Sequence, residues 1–139
     1  MPTFRSLAEV VLIVDDMERA LTFYRDTLGL PLFSPPDLPG KFLQVGEQGG
    51  PSGARGVPQQ IVLSPRPPGT RRAGADRTER VLHHIGLEVA ADEYNALRQR
   101  LRAAGYETRG GEHPFMKVEA FYVDDPDGNE VEIVRYVES

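Results

Sequence analysis

Cysteine is absent from all 139 residues. That excludes a disulfide scaffold, a thiolate metal site and a cysteine nucleophile, and it leaves histidine and carboxylate as the strong metal ligands available. Long hydrophobic runs are missing too. No stretch of about 18 apolar residues occurs, and Met1 to Val14 lacks the basic head and long apolar core of an export signal. A soluble, cytoplasmic protein is the expectation. Charge of one sign never bunches. The formal net charge is -5, from 16 Lys and Arg against 21 Asp and Glu, and scattered basic residues provide no footprint for nucleic acid or an anionic membrane. A small-molecule ligand is the expected partner. Neither a Ser/His/Asp arrangement nor a phosphate-cradling glycine loop is present.

What is there reads as short elements in a set order. Glu9 to Val14 is rich in β-branched residues and predicts a strand. Asp15, with Glu18 three residues on, predicts a capping box. A helix should follow, with Met17, Ala20, Leu21, Tyr24 and Leu28 on one stripe and Gly29 as its left-handed stop. Leu32 to Ser34, Phe42 to Val45 and Gln60 to Ser64 predict three strands. The pattern then restarts. His84 to Val89 predicts a strand, and Tyr94, Leu97, Leu101 and Ala104 a helix stopped by Gly105. Tyr106 to Arg109, Val118 to Asp124 and Glu130 to Tyr136 predict three more strands, the last two joined by an Asp125-Pro126-Asp127-Gly128 turn of type I.

The restart is an internal repeat. Glu9-Val-Val-Leu-Ile-Val aligns with His84-Ile-Gly-Leu-Glu-Val at an offset of 75 residues, and Gln60-Ile-Val-Leu-Ser with Glu130-Val-Glu-Ile-Val at an offset of 70. The expectation is one α+β domain over 1–139 built from two βαβββ modules, about 5–65 and about 81–138, joined by a Pro, Gly and Arg-rich linker of about 66–80. Gly46 to Pro58 reads as a loop.

Val14-Asp15-Asp16-Met17, Phe23-Tyr24-Arg25-Asp26 and Leu28-Gly29-Leu30, with Asp125-Pro126-Asp127-Gly128-Asn129 and Glu132 in the second module, resemble the vicinal-oxygen-chelate superfamily. This superfamily holds the glyoxalases, bleomycin-resistance proteins and extradiol dioxygenases. The resemblance covers residues 7–136 and implies a curved mixed sheet around a cleft. It also implies a homodimer.

In metal-dependent members four strand positions hold a divalent ion, and by alignment these fall on Glu9, Val62, His84 and Glu132. The resemblance thus implies Glu9, His84 and Glu132 as metal ligands for Mn, Fe, Ni, Co or Zn, with Glu132 catalytic. Strand alternation puts all three on the side opposite the core-facing Val10, Leu12, Ile85, Leu87, Val131 and Ile133. Glu9 in place of the usual histidine argues against ring cleavage, and Val62 cannot bind a metal. Val62, Tyr122 and His113 are the expected substrate contacts, whereas His83 should point the other way and be structural.

Two activities stay open. One is a glyoxalase-type lyase or isomerase acting through a metal on a substrate with vicinal oxygens. The other is a metal-free protein of the bleomycin-resistance type that binds a drug. Taken singly, each of the three residues is equally well a solvated or hydrogen-bonded group at a strand end.

Overall fold

The computed structural model describes residues 1–46, 57–70 and 81–137. Chain contacts divide the protein into two compact units, Met1–Thr70 and Arg71–Ser139. Most of the expected Gly46 to Pro58 loop and Pro65 to Arg80 linker lies outside the described residues.

In the first unit β1 (Glu9–Val14) leads into α1 (Met17–Leu21), which widens into a π-helical stretch, Thr22–Thr27, before β2 (Lys41–Gln44) and β3 (Gln60–Pro65). The helix is capped by Asp16, whose side chain accepts the Arg19 N–H at 3.2 Å. This corrects the expected cap at Asp15, whose carboxylate instead takes Arg66 Nε at 2.6 Å. With the cap one residue later, the third helical position is Arg19, so no capping box forms. The stretch closes with Leu28 N–H on the Phe23 carbonyl at 2.9 Å, and Gly29, at φ 81, ends it as expected.

The sheet order is β1-β3-β2, with β3 parallel to β1 and antiparallel to β2. Leu12, Val14, Leu43, Ile61 and Leu63 are buried on one face, alongside Ala20, Leu21, Phe23 and Tyr24 of the helix. Leu32 to Ser34 does not form a strand and makes one bridge, Leu32 to Leu43. Pro31 and Pro35-Pro36 bracket the run, and a residue without an N–H cannot extend a ladder.

The second unit holds β4 (Ile85–Glu88), a 3-10 turn (Ala91–Glu93), α2 (Tyr94–Ala103), β5 (Thr108–Gly111), β6 (Val118–Asp124) and β7 (Glu130–Tyr136). Its order is β4-β7-β6-β5, with β7 parallel to β4 and antiparallel to β6. Ile85, Phe121, Val123, Val131 and Ile133 form the buried face with Tyr94 and Leu101 of α2. The Arg98 guanidinium lies 5.4 Å from the Phe121 ring centre and that of Arg135 lies 4.7 Å from Tyr94, so both cover the apolar layer with their stems. The β6–β7 turn forms as expected. Asp125 is buried there, its carboxylate accepting the N–H groups of Asp127 and Asn129 at 2.9 and 2.8 Å and the Asn129 amide at 3.0 Å.

Strand register carries the repeat. Val62 faces Val11 on one side and Phe42 on the other, while Glu132 faces Gly86 and Tyr122. These pairings reproduce the 75- and 70-residue offsets of the sequence alignment. Among the described residues no helix is long and apolar enough to cross a membrane.

Candidate functional site

β7 turns Val131 and Ile133 toward the helix and Glu132 toward the opposite face, where it is only 8% exposed. A carboxylate taken that far from water needs partners. Tyr122 lies directly opposite on β6 and donates its phenol proton to the carboxylate. That bond, followed by burial and the charges of Glu132 and Glu130, pushes the Tyr122 hydroxyl up to about 12. It remains a donor throughout the ordinary pH range. The Tyr122 ring occupies the space above Gly111, where a Cβ would stand 2.9 Å from its Cδ2, so only glycine admits the ring in this position.

On the other flank Gly86 pairs with Glu132, and a Cβ there would stand 3.8 Å from Oε1. Glycine thus puts no side chain of its own against that edge of the carboxylate. His84 precedes Gly86 by two residues and shares its face, with Nε2 3.5 Å from Glu132 Oε2. Its ring meets the Tyr122 ring edge-on at 5.7 Å. Further along, Arg109 holds Asp124 at 3.0 Å and Glu130 at 3.4 Å, which offsets the negative charge at that end.

His83 is not turned away. Its Nδ1 lies 2.7 Å from His84 Nδ1, with ring centres 5.0 Å apart. The expectation failed because β4 begins only at Ile85, so the two-residue alternation does not govern the segment before it. The adjacent pair of histidines was the available signal.

The structure therefore brings His84, Glu132 and Tyr122 together on one sheet face. Glu9 and Val62 lie on the face of the first sheet opposite Leu12, Ile61 and Leu63, where Glu9 is exposed and Val62, between Val11 and Phe42, is buried. His113 is engaged in its own loop, where Nδ1 accepts the N–H groups of Phe115 and Met116 at 3.3 and 3.0 Å. A groove of about 430 Å³ lined by Arg102, Gly105, Tyr106, Glu107, Thr108 and Arg109 includes none of the expected site residues.

For a divalent ion, the His84–Glu132 pair fits as two adjacent ligands. Donors about 2.1 Å from a tetrahedral ion stand about 3.4 Å apart, close to the 3.5 Å between Nε2 and Oε2 and longer than a good N–H···O bond. Among the described residues no group of three or more His, Cys, Asp or Glu is placed to hold a metal ion.

The family model for the glyoxalase/bleomycin resistance protein/dioxygenase superfamily matches residues 6–133. The chain belongs to this superfamily. Solved structures agree on the fold. A glyoxalase/dioxygenase from Nostoc punctiforme has a TM-score of 0.68 at 19% identity, covering 96% of this chain and 92% of that one. The antibiotic binding protein TnmS3 from Streptomyces sp. CB03234 has a TM-score of 0.63 at 24% identity, covering 99% and 100%. Lactoylglutathione lyase from Agrobacterium tumefaciens has a TM-score of 0.63 at 21% identity, covering 96% and 95%. No curated protein matches the sequence. Superfamily members with this scaffold both catalyse and bind, so the activity has to be argued from the Glu132 constellation.

Proposed function

We propose that the protein is a glyoxalase-type isomerase or lyase that moves a proton on a small substrate with vicinal oxygens. The observation that carries this reading is Glu132, only 8% exposed. Asp125 is as deeply buried, but both of its oxygens are used to hold a turn. Glu132 holds no turn or cap. Its neighbours are a phenol, an imidazole and a glycine that puts no side chain against it. A costly buried carboxylate without a structural duty is what a proton-transfer site requires.

In this reading Glu132 takes the proton from a carbon beside a carbonyl, and the C–H electron pair moves onto the carbonyl oxygen. The protonated carboxyl then returns the proton to the former carbonyl carbon while the neighbouring hydroxyl passes its own proton to the former carbonyl oxygen, which completes an isomerisation without any external oxidant. Tyr122 stays protonated and holds the carboxylate so that one oxygen remains available. His84 stands beside the reacting oxygens as hydrogen-bond partner. A divalent ion, when bound, would be held by His84 and Glu132 and would polarise the substrate oxygens.

The test is proton exchange. An α-hydroxycarbonyl probe incubated with the protein in deuterated water should take up deuterium at the carbon beside its carbonyl, with and without added Mn or Zn, and Glu132→Gln should not support it. Exchange that survives Glu132→Gln would overturn the assignment. A second reading, drug binding without turnover, is favoured by the apolar open face of the first sheet, where Val11, Ile13 and Phe42 gather and Phe33 packs on Phe42 at 6.4 Å. Aromatic ligands that bind but show no exchange would select it.

A further inference from the structure

We propose that α2 and β5 form an anion site in which Arg98, Arg102 and the Thr108 hydroxyl bind the phosphate group of a small organic phosphate. Arg98 Nε and Arg102 Nε both donate to Thr108 Oγ1, each at 3.0 Å, so the two Nε atoms stand within twice that distance of one another. A hydroxyl oxygen accepts two hydrogen bonds and donates one. Both lone pairs of Thr108 are therefore taken by cations, and its own proton is left to donate. Among the described residues neither guanidinium has a carboxylate partner and the Thr108 proton has no acceptor.

The fold does not account for this meeting. Arg98 and Arg102 are four residues apart on α2, a spacing at which like charges repel. Each has a separate use: the Arg98 stem covers Phe121, and Arg102 lies in the last helical turn, where a cation suits the helix dipole. Neither use requires the two heads to converge on one neutral oxygen. Together they surround one point with N–H and O–H donors, the set that recognises an oxyanion with several oxygens. The carbonyls of that helix end are already occupied, since Arg100, Leu101 and Arg102 accept the N–H groups of Ala104, Tyr106 and Gly105.

The groove of about 430 Å³ that Arg102 and Thr108 line is far larger than a bare phosphate, and it gives an organic body room beside Tyr106. Glu107, also in the lining, disfavours a second anionic group on the ligand. Thr108 pairs with the core-facing Val123, whereas Arg109 pairs with Tyr122, so the site lies on the opposite side of the sheet from Glu132. It stands or falls independently of the reaction proposed above.

The experiment is a titration of the full, nitrogen-15-labelled chain with inorganic phosphate, phenyl phosphate and benzoate, at constant ionic strength because salt screens exposed charges. Saturable shifts are expected in the backbone amides of 98–109 and in the Arg98 and Arg102 Nε–H signals. Phenyl phosphate should bind more tightly than inorganic phosphate and about tenfold more tightly than benzoate. Arg102→Gln changes an exposed residue, so it should fold, and it should weaken phenyl phosphate by about tenfold or more. Arg98→Lys, which keeps the charge and a stem over Phe121 but not the planar fork, should weaken it severalfold. Arg19→Gln removes the same charge from the first unit and should leave affinity within about twofold. Shifts that never saturate, an equal loss in Arg19→Gln, or phenyl phosphate bound no more tightly than inorganic phosphate or benzoate would overturn the proposal.

Discussion

An equivalent row of three positions occurs in each sheet, and its contents differ completely. In the first unit it reads Val11, Val62 and Phe42; in the second it reads Gly86, Glu132 and Tyr122. The three strands that carry the row have the same order and pairing directions in both units, so the backbone cannot be the cause. The first row is a hydrophobic surface with ordinary β-propensity. The second has, at two of its three positions, residues the sheet would not choose for itself. Gly86 weakens its strand, Glu132 is a buried acid, and Tyr122 lies over a further glycine, Gly111. Local choices that oppose the fold mark functional positions, and here they sit in one row of one unit.

The largest effect expected from breaking this contrast is on chemistry. Glu132→Gln keeps the shape of the carboxylate and removes its basicity, and should lower the deuterium exchange of an α-hydroxycarbonyl probe by on the order of 10²- to 10⁴-fold. Val62→Ala, at the equivalent position, should change it by less than about tenfold. Next comes packing. Gly111→Ala would drive a methyl into the Tyr122 ring, and denaturant unfolding should show a loss of about 1–3 kcal/mol. A neutral result would mean that the ring relocates freely.

A smaller effect is on alkaline stability. The folded Tyr122 hydroxyl is raised to about 12 against about 10 in an unfolded chain. The protonated form is therefore favoured in the native state, and its contribution is complete below about pH 10 and lost as the pH rises toward 12. Wild type should lose more stability than Tyr122→Phe across that window, and a spectroscopic titration should show a late-ionising tyrosine component that Tyr122→Phe lacks. The smallest effect is at Glu9. Its side chain is exposed on the first sheet, and Glu9→Gln should leave stability within about 0.5 kcal/mol.

Much of this contrast was legible in the sequence because each half repeats the same periodicities. The boundaries of β1, β6 and β7 agree with the apolar alternation, and Gly29 and Gly105 stop their helices with φ of 81 and 94. Two local misreadings have simple causes. Asp15 and Asp16 are equally good caps by type, and the choice between them is made by Arg66, which claims Asp15 from 51 residues away. Leu32 to Ser34 has strand composition, but its flanking prolines cannot extend pairing. At the site, the face of Glu132 was legible because a position within β7 encodes a face, whereas His84 precedes β4 and was suggested by the family alignment. His83 was missed, since that rule ends where the strand ends. Nor could spacing reveal that Gly111 makes room for Tyr122, a contact between strands that only the β5–β6 pairing produces.

The central claim, that Glu132 is kept for chemistry and not for the fold, is tested most directly by the double substitution Glu132→Val with Tyr122→Phe, which gives the second row the Val62–Phe42 pair of the first and leaves no phenol donor without its acceptor. Unfolding and probe exchange would be measured on the same sample. Unchanged or increased stability with exchange abolished is the expected pair of results, since an apolar group of fitting size replaces a buried acid. A loss of stability of about 2 kcal/mol or more, or exchange that persists, would contradict it.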